Sequence, residues 1–117
     1  MDKDCVFCKI VKGELPSTKV YEDKDILAFK NIYPLAPVHI LIVPKKHIRN
    51  LNEVVEKDID ILGKIQLLSS KLAKKLKITN GFRVSCANEK KGGQTVYHLH
   101  YHLIGGWKGM KHLKDNL

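Results

Sequence analysis

Three histidines recur at every second residue in the stretch YHLHYHLIGG, as His98, His100 and His102. A neutral imidazole is abundant at pH 7, because its unperturbed pKa is about 6.5, and it can act as nucleophile, acid or base. Three imidazoles at this spacing could therefore attack, orient and protonate one small substrate. A metal site made of histidines alone and a chance arrangement are the other two interpretations of the row.

An extended strand is the element that would place the three imidazoles on one face. On a helix the same spacing would scatter them, because helical positions two apart are not neighbours. The opposite face of the strand would carry the alternating apolar residues Tyr97, Leu99, Tyr101 and Leu103. We therefore predict a half-buried strand over residues 95–106, ended by the glycine pair at 105–106.

Four further strands and two helices are expected to surround this strand. The segments TKVYE and ILAFK predict a hairpin, VHILIVP a buried strand and FRVSCANE a strand before the histidine row. Apolar residues recurring every three or four positions predict one long helix from Asn52, its N-cap, to Leu76. Asp4 is expected to cap a short helix over residues 5–12 that stops at Gly13. Together these elements predict an α+β fold with an antiparallel five-stranded sheet.

The composition narrows the class of protein. The 117 residues are 44% hydrophobic, which favours one domain spanning residues 1–117. No apolar run or leader sequence indicates a membrane span or secretion, so a cytoplasmic location and no membrane partner are expected. Although the net charge is +9, the lysines are scattered, and we expect no specific nucleic-acid binding. Three cysteines are too few for a disulfide framework and indicate reduced thiols or a metal site.

The segment HLHYHLI resembles the signature of the histidine triad (HIT) family of nucleotide hydrolases and transferases, in which histidines alternate with hydrophobic residues. GGQTVY precedes it, and the similarity extends through APVHILIVPKKHI and AFKNIYP to CVFCKI. The chain looks closest to the branch of small nucleotide-binding phosphoramidases. This resemblance implies a HIT-like fold with one long helix, a short N-terminal helix and assembly into a homodimer.

The resemblance also implies a role for each histidine of the row. His100 would attack the α-phosphorus of a nucleoside phosphoramidate or a related acyl-nucleotide, giving a nucleotidyl-histidine intermediate. His102 would contact the phosphate and help the leaving group depart. His98 and His39 would hold His100 in its orientation and tautomer.

Nucleotide-binding residues are implied at positions that match the family's motifs. The expected phosphate contacts are Asn88, Gly93, Gln94 and Thr95. The expected base slot consists of Phe7, Ile10, Phe29 and Ile32, which could equally be core residues. Asn31 is the expected ribose contact, although this branch usually has an aspartate there. Thr95 likewise stands in place of the more common serine, and the tail WKGMKHLKDN lacks the Trp-Pro ending of the relatives.

Cys5 and Cys8 form a CxxC pair on one face of the predicted short helix. Taken alone, they would be two ordinary thiols. Many HIT proteins resembling this one bind zinc at positions that correspond here to Cys5, Cys8, His47 and His98. A closed set of two thiolates and two imidazoles suits tetrahedral Zn²⁺, and the metal would be structural. Cys86 and His112 receive no role beyond a small buried side chain and an exposed tail residue.

These expectations define a leading function and three alternatives. The leading function is hydrolysis of a purine nucleoside phosphoramidate, which releases AMP or GMP from an amine and makes purine nucleoside monophosphates the expected ligands. Within the family, a dinucleoside polyphosphate hydrolase is the alternative. Outside this chemistry, the chain could be a nucleotide-binding interaction protein without turnover or a zinc-held basic module for nucleic acid.

Overall fold

Five antiparallel strands form one sheet in the computed structural model, which describes residues 4–111 and 113. The strands are β1 (Lys19–Glu22), β2 (Ile26–Lys30), β3 (Val38–Pro44), β4 (Phe82–Ser85) and β5 (Tyr101–Gly105), in the spatial order β1-β2-β3-β5-β4. The helices are α1 (Val6–Val11) and α2 (Ile59–Lys75). The predicted α+β class, with a five-stranded antiparallel sheet, one long helix and a short N-terminal helix, is confirmed.

The two faces of the sheet carry different helices. One face packs against α2, where Ile40, Ile42 and Leu103 of the sheet join Ile65 and Leu72 of the helix in one buried cluster. The second face packs against α1 in a cluster that contains Phe7, Ile10, Leu27, Phe29 and Leu41. Directly paired residues share a face, and Phe29, Leu41 and His102 pair in one row across β2, β3 and β5. The α1 side of the sheet is therefore the side on which His102 lies.

The long helix begins later than the apolar spacing predicts. It starts at Ile59 and is preceded by two single 3₁₀ turns, Leu51–Glu53 and Glu56–Asp58. A 3₁₀ turn repeats every three residues, so the spacing does not distinguish it from an α-helix. The predicted cap at Asn52 is wrong, because the side chain of Asn50 accepts the Asn52 N–H and caps the first turn. Val55 and Ile59, two of the apolar residues whose spacing predicted the helix, are 53% and 63% exposed.

The short helix α1 is capped by a different residue from the one predicted. The Sγ of Cys5, rather than the carboxylate of Asp4, accepts the backbone N–H of Cys8 at 3.3 Å. Gly13 follows the helix with a φ of 81°, the left-handed conformation that glycine adopts without a steric penalty. None of the helices in residues 4–111 is long and apolar enough to cross a membrane.

Candidate active site and metal centre

The first two histidines of the row lie ahead of β5 rather than within it. Pairing of β5 with β3 ends at Ile42 and Tyr101, and its pairing with β4 ends at Ser85 and His102. Within the residues that the structure describes, the segment 95–100 pairs with no strand, so the predicted strand over 95–106 is wrong in its first half. The predicted strand FRVSCANE is shortened for the same reason and ends at Ser85.

The alternation of side chains nevertheless continues ahead of the strand. Leu99, like Tyr101 and Leu103, is buried in the cluster under α2. The rings of His98 and His100 face the other way, and both contact the ring of Phe7 from α1, with centroid distances of 5.9 and 5.0 Å. Tyr97 does not join the apolar face: it is 37% exposed and lies against the guanidinium of Arg49.

His100 is fixed as a tautomer whose Nε2 atom bears the lone pair. Its Nδ1 atom lies 2.7 Å from the backbone carbonyl oxygen of His98. Because a carbonyl only accepts hydrogen bonds, Nδ1 is the donor, and in the neutral ring Nε2 carries no proton. Burial lowers the pKa of His100 and keeps the ring neutral at pH 7. The ring therefore offers a nucleophilic nitrogen at Nε2.

His102 is fixed as the opposite tautomer by a chain of two hydrogen bonds. The backbone N–H of Leu35 donates to Nδ1 of His39 at 3.0 Å, which leaves the proton of neutral His39 on Nε2. That Nε2–H donates to Nδ1 of His102 at 2.8 Å, so His39 orients His102, whereas the resemblance had implied that it orients His100. The proton of neutral His102 is then on its Nε2 atom. The two neighbouring imidazoles, with ring centroids 5.0 Å apart, thus present one acceptor and one donor.

Burial keeps this pair of neighbours uncharged. It lowers the pKa of His102 to about 4, and repulsion from His100 and His39 adds to the shift. Burial alone lowers the pKa of His39. At neutral pH, His39 and His102 therefore bind no additional proton, and the hydrogen bonds that run from Leu35 through His39 to His102 keep both rings in these tautomers.

A cavity of about 370 Å³ opens beside the two imidazoles. Its lining is mainly apolar, which suits a flat nucleobase, and His100 and His102 lie in its wall. The sequence-predicted residues in the lining are Phe7, Phe29, Asn31, Ile32, Thr95, His100 and His102. The lining also contains residues that the sequence did not single out: Val6, Pro16, Ser17, Lys30, Tyr33, Leu41 and Val96. Leu41 could have been found from strand alternation, because it faces both Phe29 and His102 in the sheet.

The other expected nucleotide contacts lie outside this lining. Ile10 is buried in the same cluster as Phe7 and Phe29. Asn88 accepts the backbone N–H of Leu51 and donates to the carbonyl of Cys86. Gln94 is 3% exposed, and its amide bonds to neighbouring chain segments. Gly93 lies on the exposed loop before Thr95, with a φ of 96°.

Cys5, Cys8, His47 and His98 come together at the His98 end of the histidine row. Their ligand atoms all lie within 4.8 Å of one another. The Sγ of Cys8 is 3.2 Å from Nδ1 of His47, and the Sγ of Cys5 is 3.3 Å from Nδ1 of His98. The two Nδ1 atoms are 3.2 Å apart. Sequence positions 5, 8, 47 and 98 thus meet at one point.

This cluster fits a tetrahedral zinc ion. Zn–S bonds of about 2.3 Å and Zn–N bonds of about 2.0–2.1 Å place ligand atoms about 3.3–3.8 Å apart, close to the spacings found here. Nε2 of His98 donates to the carbonyl oxygen of Pro44 at 2.7 Å, so the lone pair of Nδ1 faces the thiols. Burial lowers the pKa of His98 to about 4, which favours the neutral form that a metal requires.

The fold and the imidazole pair define a sheet protein with a histidine-lined pocket, and comparison with known proteins identifies its family. The HIT domain model matches residues 12–109. A HIT family hydrolase from Clostridium thermocellum superimposes with a TM-score of 0.89 at 49% identity, covering 97% of this chain and all of the other. The chain belongs to the HIT family, which confirms the resemblance found in the sequence.

Two relatives in plants carry names that describe a ligand or an activity. A 14 kDa zinc-binding protein from Brassica juncea is 45% identical over 88% of this chain and 93% of the relative. Adenylylsulfatase HINT1 from Arabidopsis thaliana is 43% identical over 90% of this chain and 73% of the relative.

Proposed function

We propose that this chain hydrolyses purine nucleoside 5′-phosphoramidates and related acyl-nucleotides through a nucleotidyl-histidine intermediate. The observation that carries the proposal is the opposite tautomers of His100 and His102 in the wall of one cavity. A lone pair on Nε2 of His100 and a proton on Nε2 of His102 are the two groups that a displacement at phosphorus needs. The names of the two HIT relatives described above, a hydrolase and an adenylylsulfatase, support cleavage of a bond to a nucleotide's phosphorus.

The first step forms a bond between Nε2 of His100 and the α-phosphorus. The phosphorus–nitrogen bond to the leaving amine breaks, and its electron pair stays on that nitrogen. His39 keeps the proton of His102 on the outward Nε2, from which it passes to the departing amine as the phosphorus–nitrogen bond breaks. The negative charge that this leaves on His102 is balanced by the positive charge on His100, whose ring now carries both the phosphorus and the Nδ1 proton and lies with its centroid 5.0 Å away. His100 needs no base, because its Nδ1–H is already bonded to the carbonyl of His98.

The second step returns the enzyme to its starting form. Water attacks the phosphorus and gives one proton to Nε2 of His102, which restores the donor used in the first step. The phosphorus–nitrogen bond to His100 breaks, and the electron pair returns to Nε2. The net reaction consumes one water and releases a nucleoside monophosphate and a neutral amine.

A zinc ion in the cluster of Cys5, Cys8, His47 and His98 is part of the proposal as a structural element. The four protein ligands would complete a tetrahedron, so the ion would supply rigidity rather than a bound water. His98 links the two sites, because its carbonyl orients His100 while its Nδ1 faces the thiols. The name of the zinc-binding relative from Brassica juncea supports this assignment.

We also propose a homodimer, as the family resemblance implies. Ile59 and Leu67, about two turns apart on α2, are 63% and 56% exposed. A second copy of the chain would cover these apolar side chains. Sedimentation should give the mass of two chains, and Ile59→Asp with Leu67→Asp should shift the protein toward the mass of one chain.

A cytoplasmic location and a single domain over residues 1–117 remain predictions.

Turnover of a substrate series tests the proposed reaction. Adenosine 5′-phosphoramidate should be hydrolysed with a higher kcat/KM than diadenosine polyphosphates, and His100→Ala should abolish the reaction. The matched control is Lys45→Ala, which removes an ion pair with Glu22 on the hairpin and should leave kcat unchanged. Preferential turnover of the diadenosine substrates would instead support the polyphosphate hydrolase.

A further inference from the structure

Glu89 holds a backbone conformation that is unusual for any residue except glycine. Its φ and ψ are 65° and 165°. Such a conformation is strained in an L-residue and persists only where surrounding contacts hold it. The residue stands at the start of the 89–96 loop, which leads directly to the histidine row.

The side chain of Glu89 supplies those contacts. Its carboxylate accepts two hydrogen bonds from Arg49, at 3.2 and 3.0 Å, and a third from Nδ2 of Asn50 at 2.6 Å. Nδ2 of Asn52 is 3.5 Å away. Hydrogen bonding to the Arg49 guanidinium is the main reason why the pKa of Glu89 is lowered to about 2. The carboxylate is therefore charged across the physiological range.

Gln94 ties the far end of the loop to the same anchor. Its Oε1 accepts the backbone N–H of Glu89 and an N–H of Asn50, both at 2.9 Å. Its Nε2 donates to the carbonyls of Arg49 and Val96. The carbonyl of Glu89 in turn accepts the backbone N–H groups of Gly92 and Gln94. The loop is therefore closed on itself and fastened to residues 49 and 50.

The 89–96 loop reaches the cavity at its last two residues. Thr95 and Val96 line the cavity together with His100 and His102. Beyond the loop, the Arg49 guanidinium lies 4.2 Å from the ring centroid of Tyr97. One arginine thus contacts the residues on both sides of the segment that faces the reacting imidazoles.

We propose that Glu89 is a positioning residue for the reaction, which acts with Arg49 to hold the 89–96 loop where it binds the substrate's phosphate. The inference rests on the proposed function, and it assigns to Glu89 a role in recognising the phosphate rather than the nucleoside. Arg49 and Glu89 are 41% and 42% exposed at their side chains. An ion pair this accessible contributes little to global stability, so loss of the carboxylate should affect the loop more than the fold.

Measuring the binding of adenosine and of AMP separates an effect on the 89–96 loop from an effect on the whole fold. Titration calorimetry would give both dissociation constants for the wild type, Glu89→Ala and Glu89→Gln. The wild type should bind AMP more tightly than adenosine. In Glu89→Ala the affinity for AMP should fall about tenfold, whereas the affinity for adenosine should stay within about twofold. Glu89→Gln keeps one acceptor oxygen, so its affinity for AMP should lie between those of the wild type and Glu89→Ala.

Two further variants act as controls. Glu22→Gln removes an exposed carboxylate of the β1–β2 hairpin that pairs with Lys45, and it should leave both affinities unchanged. Glu89→Gly removes the carboxylate while allowing the left-handed backbone without strain. If Glu89→Gly restored the wild-type preference for AMP, the carboxylate would not be what positions the loop, and the inference would be wrong.

The remaining outcomes distinguish this inference from the proposed function. A parallel loss of adenosine and AMP binding in both Glu89→Ala and Glu89→Gln would reveal a purely structural role and overturn the inference alone. An unchanged AMP preference in Glu89→Ala would do the same. A wild type that binds AMP no better than adenosine would overturn the proposed function together with the inference.

Discussion

Nε2 of His39 lies 2.8 Å from Nδ1 of His102, across the boundary between β3 and β5. Leu41 is the direct cross-strand partner of His102, so His39, two residues earlier on the same face, is its diagonal neighbour. The other nitrogen of His39 accepts the backbone N–H of Leu35. A backbone amide outside the sheet therefore determines which nitrogen of His102 carries a proton.

Replacement of His39 should reduce catalysis through His102. His39→Ala should lower kcat about 10- to 100-fold, the range for partners that orient a catalytic group. His39→Gln should recover part of the loss, because its amide N–H can donate to the same nitrogen of His102. The loss should grow along a series of amines that leave less readily. An equal loss across that series would contradict a role in protonating the leaving group.

The pH dependence should reflect the lowered pKa of His102. Burial first, and then repulsion from His100 and His39, lower the pKa of His102 to about 4. Burial also lowers the pKa of His100 and of His39. We therefore expect kcat/KM, with the uncatalysed rate subtracted, to fall only below the ordinary histidine range as pH decreases. An acid limb centred near the ordinary histidine value of about 6.5 would contradict the buried, neutral chain of imidazoles.

The free energy of unfolding should also depend on the protonation of His102. Below about pH 6.5 the unfolded chain binds a proton at His102 that the folded chain does not bind until about pH 4. The free energy of unfolding should therefore decrease as pH falls through this range. Denaturant titrations at pH 7 and pH 5 would measure the decrease, and His102→Asn should lose this residue's share of it.

Metal removal should have a larger effect on the Tm than on kcat. Protein purified without a histidine tag should contain about one zinc per chain, the content of a closed four-ligand site. A chelator should lower the Tm clearly and reduce kcat only as far as the segment bearing His98 loosens, and Cys5→Ser with Cys8→Ser should copy both effects. Zinc content near zero with an unchanged Tm in chelator would leave the cysteines as ordinary thiols. Activity that returned with several different divalent ions would indicate a catalytic metal instead.

Asn31 provides a test of sugar recognition. Its Oδ1 accepts the backbone N–H of Tyr33 at 2.9 Å, and its Nδ2 lies 3.4 Å from Nε2 of His39. If Asn31 contacts the sugar, we expect its amide to discriminate weakly between ribose and deoxyribose, and a carboxylate in its place to accept the ribose hydroxyl strongly. Asn31→Asp should therefore raise the ratio of kcat/KM for ribo over 2′-deoxy substrates. An unchanged ratio would mean that Asn31 does not contact the sugar.

Local patterns predicted most of the sheet correctly. The buried run VHILIVP corresponds to β3 residue for residue, and ILAFK corresponds to β2. The spacing of apolar residues failed ahead of Ile59, where two 3₁₀ turns share the helix's short period. It also failed ahead of Tyr101, because alternation specifies which way a side chain faces but not whether a neighbouring strand is present.

The sequence predicted which histidines and cysteines the structure brings together in the candidate sites, but it did not predict which histidine nitrogens carry protons. The spacing of His98, His100 and His102 and the CxxC pair were visible in the sequence. Their tautomers depend on backbone groups of Leu35, Pro44 and His98 itself, which only the folded chain brings within hydrogen-bonding distance. Gln94 and Asn88 were expected at the phosphate, yet their side chains bond to backbone groups of neighbouring segments. Polar residue type alone does not distinguish a ligand contact from a loop anchor.

A mass spectrum of the protein quenched during turnover would show whether His100 is the nucleophile. With adenosine 5′-phosphoramidate, we expect a chain heavier by one adenylyl group, with the modification located on His100 by fragmentation. His102→Ala should still form this adduct, more slowly, whereas His100→Ala should form none. An adduct on another residue, or rapid turnover by His100→Ala, would show that His100 is not the nucleophile.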